Sequence, residues 1–124
     1  MGLDMDFYRL NKGTIINGYK DLFEYETFKY FRKNYTIHDI MCLSLELVKL
    51  NAKRITDVHG RVLYLGGCGE YKISKKQYEY IKKILKVKDL SRYIGDYNEL
   101  DNPKQLLKIL KDFNKYDFWY NWCN

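Results

Sequence analysis

Between Tyr19 and His59 the chain contains neither glycine nor proline. These two residues are the strongest local interrupters of a helix, so the stretch can carry one long regular element. Inside it, Phe31, Tyr35, His38, Cys42, Leu45 and Lys49 recur at three- and four-residue steps. Ile37, Ile40, Met41, Ser44, Leu47 and Val48 form an adjacent stripe. That period predicts a long central helix over about 28–50, with Tyr35-Thr36 as a weak point near its start.

The flanking segments follow other rules. Leu3 to Tyr8 alternates apolar and acidic side chains, the pattern of a half-buried strand. Asn11-Lys12-Gly13 and Asn17-Gly18 are turn chemistry, and Tyr19 to Tyr25 leans toward a strand at its start. Arg61 to Leu65 reads as a strand after a turn at Gly60. Gly66-Gly67-Cys68-Gly69 then forms a tight loop, and Tyr71 and Ile73 a short extended piece. Ser74-x-x-Gln77 is a capping-box signature for a helix to about Lys86, with Tyr78, Ile81, Ile84 and Leu85 as its apolar face. Asp101-Asn102-Pro103 opens a last helix, Lys104 to about Phe113, and the aromatic run Tyr116 to Trp122 adds a strand. The expected fold is α+β: a small antiparallel or mixed sheet with a long central helix and two further helices packed on it, in a single domain over 1–124.

Charge and composition narrow the partners. The net charge of +6 favours anionic partners, and 13 tyrosines supply flat contact area at low entropic cost. No apolar run has the length of a membrane span, and Asp4 and Asp6 replace the basic start of a secretion signal. Cys42, Cys68 and Cys123 contain no C-x-x-C pair, so the expectation is free thiols in a reducing cytosol, with neither a zinc site nor a disulfide framework.

Two places invite a chemical reading. The glycines at 66, 67 and 69 would let backbone N–H groups approach a phosphate near the helix start at Ser74, yet they match neither nucleotide-binding fingerprint. A turn that needs positive φ explains them as well. Cys68 with Glu70 is a conceivable nucleophile and base. In the long helix, Arg32, Tyr35 or Thr36, and Asp39 fall at steps of three and four on one face, which could clamp a phosphate or form a solvated ion pair, with Lys33 and His38 as neighbours. A lone helical histidine is more often a satisfied core residue, and no metal-ligand spacing is present. The lysines of 75–88 suit a solvated helix face or a nucleic-acid contact. Trp119 belongs to an aromatic tail that can pack in a core or stack on bases.

Met1-Gly2-Leu3-Asp4-Met5, Tyr30-Phe31-Arg32-Lys33 with Ile37-His38, Cys68-Gly69-Glu70-Tyr71 with Ser74, and Tyr116-Asp117 with Tyr120 occur in this order along most of the chain. This set resembles a family of small phage and prophage proteins of unassigned chemistry. Phe31 stands where that family usually has Trp, and the spacing between motifs is shorter. The resemblance implies phage provenance and an accessory role in the cytoplasm of an infected bacterial host. The leading expectation is an anti-defence inhibitor (an anti-CRISPR or related protein). It would bind an RNA-guided effector complex or a nucleotide immune signal stoichiometrically, without cofactor, metal or catalytic residues. The contact residues expected are Arg32, Lys33, Tyr35, His38, Cys68, Gly69, Glu70, Tyr71 and Trp119. The alternatives are a small phosphodiester or nucleotide hydrolase using His38 and Arg32, and a basic regulator binding nucleic acid through the Lys75–Lys88 helix.

Overall fold

A computed structural model of the protein describes residues 2–58, 65–95 and 97–124. The fold is α+β, with a four-stranded sheet that is antiparallel throughout. The chain divides into two compact units: one drawn from the segments 1–34, 66–73 and 107–124, the other from 35–65 and 74–106.

The first unit holds the sheet. Its strands are β1 (Asp4–Asn11), β2 (Lys29–Arg32), β3 (Cys68–Lys72) and β4 (Tyr116–Cys123), arranged β2-β1-β4-β3. The alternation at Leu3–Tyr8 is realised as expected: Leu3, Met5 and Phe7 are buried, whereas Asp4 is exposed and Asp6 half-buried. Register aligns Met5 with Phe31 and Trp122, and Phe7 with Tyr120. An aromatic core results on that face, with Phe7 and Tyr120 rings 4.9 Å apart and Tyr71 5.8 Å from both Tyr120 and Trp122.

The opposite face carries a second apolar cluster. Tyr8 and Leu10 pack with Leu22, with Ile16 and the partly buried Trp119 against them. Leu22 comes from α1 (Tyr19–Leu22), a single helical turn where the sequence leaned toward a strand. Asp21 there accepts the Asn17 N–H (2.9 Å), closing the turn that a strand would need open. The polar remainder of this face comprises Asp4, Asp6, Tyr30, Arg32, Glu70 and Asn121.

The second unit is helical. The long helix, α2, runs Tyr35–Leu50 and not from residue 28. Residues 29–32 go instead to β2, because pairing with Asp4–Phe7 satisfies their backbone, and Lys33 at φ 57° breaks any helical continuation. The start of α2 is held by Asp101: Thr36 donates to its carboxylate through Oγ1 (2.7 Å), and Asn98 N–H donates to Thr36 Oγ1 (2.9 Å). An acid at a helix N-terminus also complements the helix dipole. Asn51 at φ 49° ends α2.

Helix α3 (Lys75–Leu85) begins as expected, with Gln77 N–H donating to Ser74 Oγ at 3.0 Å. Its buried face is Gln77, Tyr80, Ile81, Ile84 and Leu85; Tyr78 is only half-buried. The Gln77 side chain does not return to the cap but donates to Ser44 Oγ (3.0 Å), which donates to Met41 C=O (3.0 Å). The expected last helix is shorter: a 3-10 turn at Pro103–Gln105 leads into α4 (Leu106–Ile109). Asp112 at φ 60° marks the turn that follows. The strand expected at Arg61–Leu65 lies largely outside the described residues.

Candidate functional site

Cys68, Gly69, Glu70 and Tyr71 are consecutive residues of β3, an edge strand hydrogen-bonded to β4. Only Gly66 and Gly67 form the turn before it, with Gly67 at φ 63°. Tyr71 points into the aromatic core, as does the space above Gly69, which the Trp122 ring fills. Glu70 stands across from Asn121 on the polar face.

Cys68 and Cys123 are directly opposite each other and joined in a disulfide, their Cα atoms 4.0 Å apart. Asn124 N–H donates to Gly67 C=O (2.8 Å) beside them, so they occupy a non-hydrogen-bonded position, where cross-strand side chains lie closest. The expectation of three free thiols is thus corrected. The partners are 55 residues apart in sequence and meet only through the β3–β4 register, which spacing does not reveal. Cys42 is free and buried, and burial pushes its thiol up to about 11. Neither it nor Cys68 is an available thiolate nucleophile.

The Arg32 end of the expected site is elsewhere. Arg32 lies on β2, the edge opposite β3, in register with Asp4 of β1. Two strands separate it from Glu70, roughly 14 Å at the usual strand spacing. Lys33 is the turn residue after β2, its N–H donating to Leu3 C=O at 2.6 Å. Trp119 is half-buried, and its buried indole N–H has no hydrogen-bond partner among the described residues. In the helical unit, Tyr35 is the half-buried first residue of α2. His38 is fully buried, with Nε2 2.9 Å from Leu65 C=O. A carbonyl only accepts, so Nε2 carries the proton. Burial holds the imidazole pKa below its ordinary value, which keeps the ring neutral. A depression lined by Cys42, Leu45, Glu46, Lys49 and Leu65 has room for about one water. That is too small for a nucleotide.

A different surface emerges from residues that the sequence patterns did not single out. Nine large hydrophobic side chains are exposed among the described residues. Six of them (Ile15, Tyr19, Phe23, Tyr25, Phe28 and Tyr30) fall between residues 15 and 30, at 40–79% exposure. Tyr19 and Phe23 meet edge to face at 5.7 Å. The Arg9 guanidinium lies 4.1 Å from the Phe28 ring and 4.7 Å from the Tyr116 ring. Tyr30 donates its hydroxyl to Asp4, and Thr27 donates to Asp6 (3.2 Å), whose carboxyl is raised mainly by burial. These bonds tie the exposed segment to β1. The sequence patterns read this segment as a strand over 19–25 and as the start of the long helix from 28, and neither reading marked its rings as exposed.

Comparison with known protein families, curated proteins and solved structures finds no match for this chain. Among the described residues no helix is long and apolar enough to cross a membrane, and no group of His, Cys, Asp or Glu is placed to hold a metal ion.

Proposed function

We propose that the protein is a non-catalytic binder that forms a stoichiometric complex with a folded protein through the aromatic segment 15–30. The carrying observation is the concentration there of six of the nine exposed large hydrophobic side chains. Aromatic rings and arginine dominate the energetic centres of protein interfaces, and exposed large hydrophobic side chains gathered in one short segment are the material such centres use. Segment 15–30 also contains Asp21, Glu24 and Glu26 together with Lys20 and Lys29, the mixed charge found at interface rims. The resemblance to phage accessory proteins directs the choice of partner to a bacterial immune effector of the RNA-guided type.

Hydrolysis through His38 and Arg32 is the weaker reading. His38 is buried and bonded to a backbone carbonyl, and Arg32 stands on an exposed edge strand. A nucleotide signal would need an enclosed pocket, and the depression beside Cys42 does not hold one.

The test is titration of purified RNA-guided effector complexes with the protein, following target cleavage and complex mass. Inhibition saturating at a fixed stoichiometric ratio, and abolished by Tyr19→Ser with Phe23→Ser, supports the reading. Unaltered cleavage with every effector class, or inhibition untouched by those substitutions, overturns it.

A further inference from the structure

A second surface, independent of the aromatic segment, is built within the helical unit. Because α3 buries Gln77, Tyr80, Ile81, Ile84 and Leu85, its remaining face is left to lysines: Lys75, Lys76, Lys83 and Lys86 are exposed. Taken alone, this is an ordinary solvated helix face. The structure adds a neighbour to it. Two side chains of α3 reach the loop that follows α2: Lys76 Nζ donates to Asn51 Oδ1, and the Tyr80 hydroxyl donates to Ala52 C=O. The next two residues of that loop are Lys53 and Arg54, both exposed.

The two stretches therefore form one continuous basic surface. Segments 49–57 and 75–88 together carry nine lysine and arginine side chains against two carboxylates, a surplus larger than the net +6 of the entire chain. Both carboxylates are already engaged: Asp57 with Arg54 (3.7 Å) and with the N–H groups of Lys53 and Arg54, and Glu79 with Lys82 (3.0 Å).

We propose that this surface binds the phosphate backbone of nucleic acid without reading base sequence. Lysine is depleted at the cores of protein–protein interfaces, and among the described residues of this surface no aromatic side chain is exposed as the anchor such cores use. Phosphodiesters instead reward separated cationic point charges, each releasing a condensed counterion. From Lys75 to Lys86 the stripe runs roughly 16 Å along the helix, enough to meet several successive phosphates. Among the described residues of this surface Asn51 is bonded to Lys76 and Arg54 to Asp57, which leaves lysine point charges to meet phosphates, and the binding is expected to be indifferent to sequence.

The experiment is fluorescence anisotropy of the full chain with labelled 20-mer duplex DNA and single-stranded RNA across a salt series. Expected are similar affinities for unrelated sequences and a linear fall of log K with log salt. Each neutralised contact is expected to reduce that slope by about one. Lys53→Glu with Arg54→Glu, and separately Lys75→Glu with Lys86→Glu, should each weaken binding at least tenfold and flatten the slope. Lys108→Glu with Lys111→Glu lowers net charge equally from exposed positions outside this surface, and should change little. Circular dichroism checks that each variant is folded.

Absence of binding at low salt overturns the proposal, as does a salt-independent affinity. Equal losses in the Lys108/Lys111 variant would reduce the effect to net charge. A loop variant that binds like the parent would remove Lys53 and Arg54 from the surface. Tighter binding to an acidic protein competitor than to nucleic acid would reassign it to a protein face.

Discussion

The indole ring of Trp122 occupies the space that a side chain on Gly69 would require: a Cβ there would stand 2.6 Å from the ring. The two residues are paired in register across β3 and β4. Glycine at 69 is thus demanded by close approach, whereas Gly66 faces open space. Gly69→Ala is expected to destabilise the protein by about 1–3 kcal/mol through overpacking, with Gly66→Ala close to neutral. Urea denaturation distinguishes them, and equal midpoints for the two variants would refute the packing argument.

The Cys68–Cys123 bond closes a loop of 55 residues. Chain-entropy arguments give such a crosslink about 4 kcal/mol of stabilisation. A reductant should lower the urea midpoint of the parent. Cys123→Ser should start from that lower midpoint and show no further response to reductant, while Cys42→Ser should keep the parent's redox response. A parent midpoint unmoved by complete reduction would argue against any stabilising role.

His38 sets a pH dependence whose sign follows from its burial. In the unfolded chain the imidazole titrates near its ordinary value of 6.5; in the folded protein its pKa is lower. Between those two values the unfolded state binds more protons, so stability falls as pH drops below 6.5 and is fully present above it. Unfolding followed at pH 7.5, 6.5 and 5.5 should show this loss. His38→Gln retains a hydrogen-bond donor toward Leu65 and should flatten the His38 part of the profile. A profile identical to the parent's would exclude His38 as its source.

Leu22 and Phe23 are neighbours with opposite environments, fully buried and 55% exposed. Leu22→Ala should lose about 2–5 kcal/mol by opening a cavity beneath Tyr8 and Leu10. Phe23→Ser should stay within about 1 kcal/mol of the parent, since only an edge contact to Tyr19 is lost. If the Phe23 substitution proved as damaging as the Leu22 one, the ring would be a core residue and its use as an interface anchor would be ruled out.

The elements governed by local chemistry were legible in the sequence. The Asp4/Asp6 alternation announced β1, Ser74 and Gln77 announced the start of α3, and the aromatic tail announced β4. What failed were features decided by distant partners. Residues 29–32 continue the apolar period of α2, yet they pair with β1. Tyr19–Leu22 has strand-forming residues, yet it closes as a helical turn over Tyr8 and Leu10. The disulfide and the Lys76–Asn51 bridge both depend on register or packing between segments far apart in the chain. Of the expected contact residues, Cys68–Tyr71 lie together, but Arg32 is at the opposite sheet edge and His38 is sealed in the helical unit. The exposure of the aromatic segment was not legible, because its rings fitted a strand over 19–25 and a helix from 28 while their solvent exposure depends on what the rest of the chain leaves uncovered.

The position of β4 between β1 and β3 also constrains when the sheet can be completed. Strand β1 can pair with β2 soon after synthesis, but a two-stranded ribbon is marginal in water. Its other edge, and the partner for β3, are supplied only by residues 116–123. Until those residues leave the ribosome, Met5 and Phe7 lack the Trp122 and Tyr120 they pack beside, and β3 has no neighbour at all. The sheet therefore closes in one late step, and a nascent chain stalled before Tyr116 would expose two unpaired edges to any aggregation partner nearby.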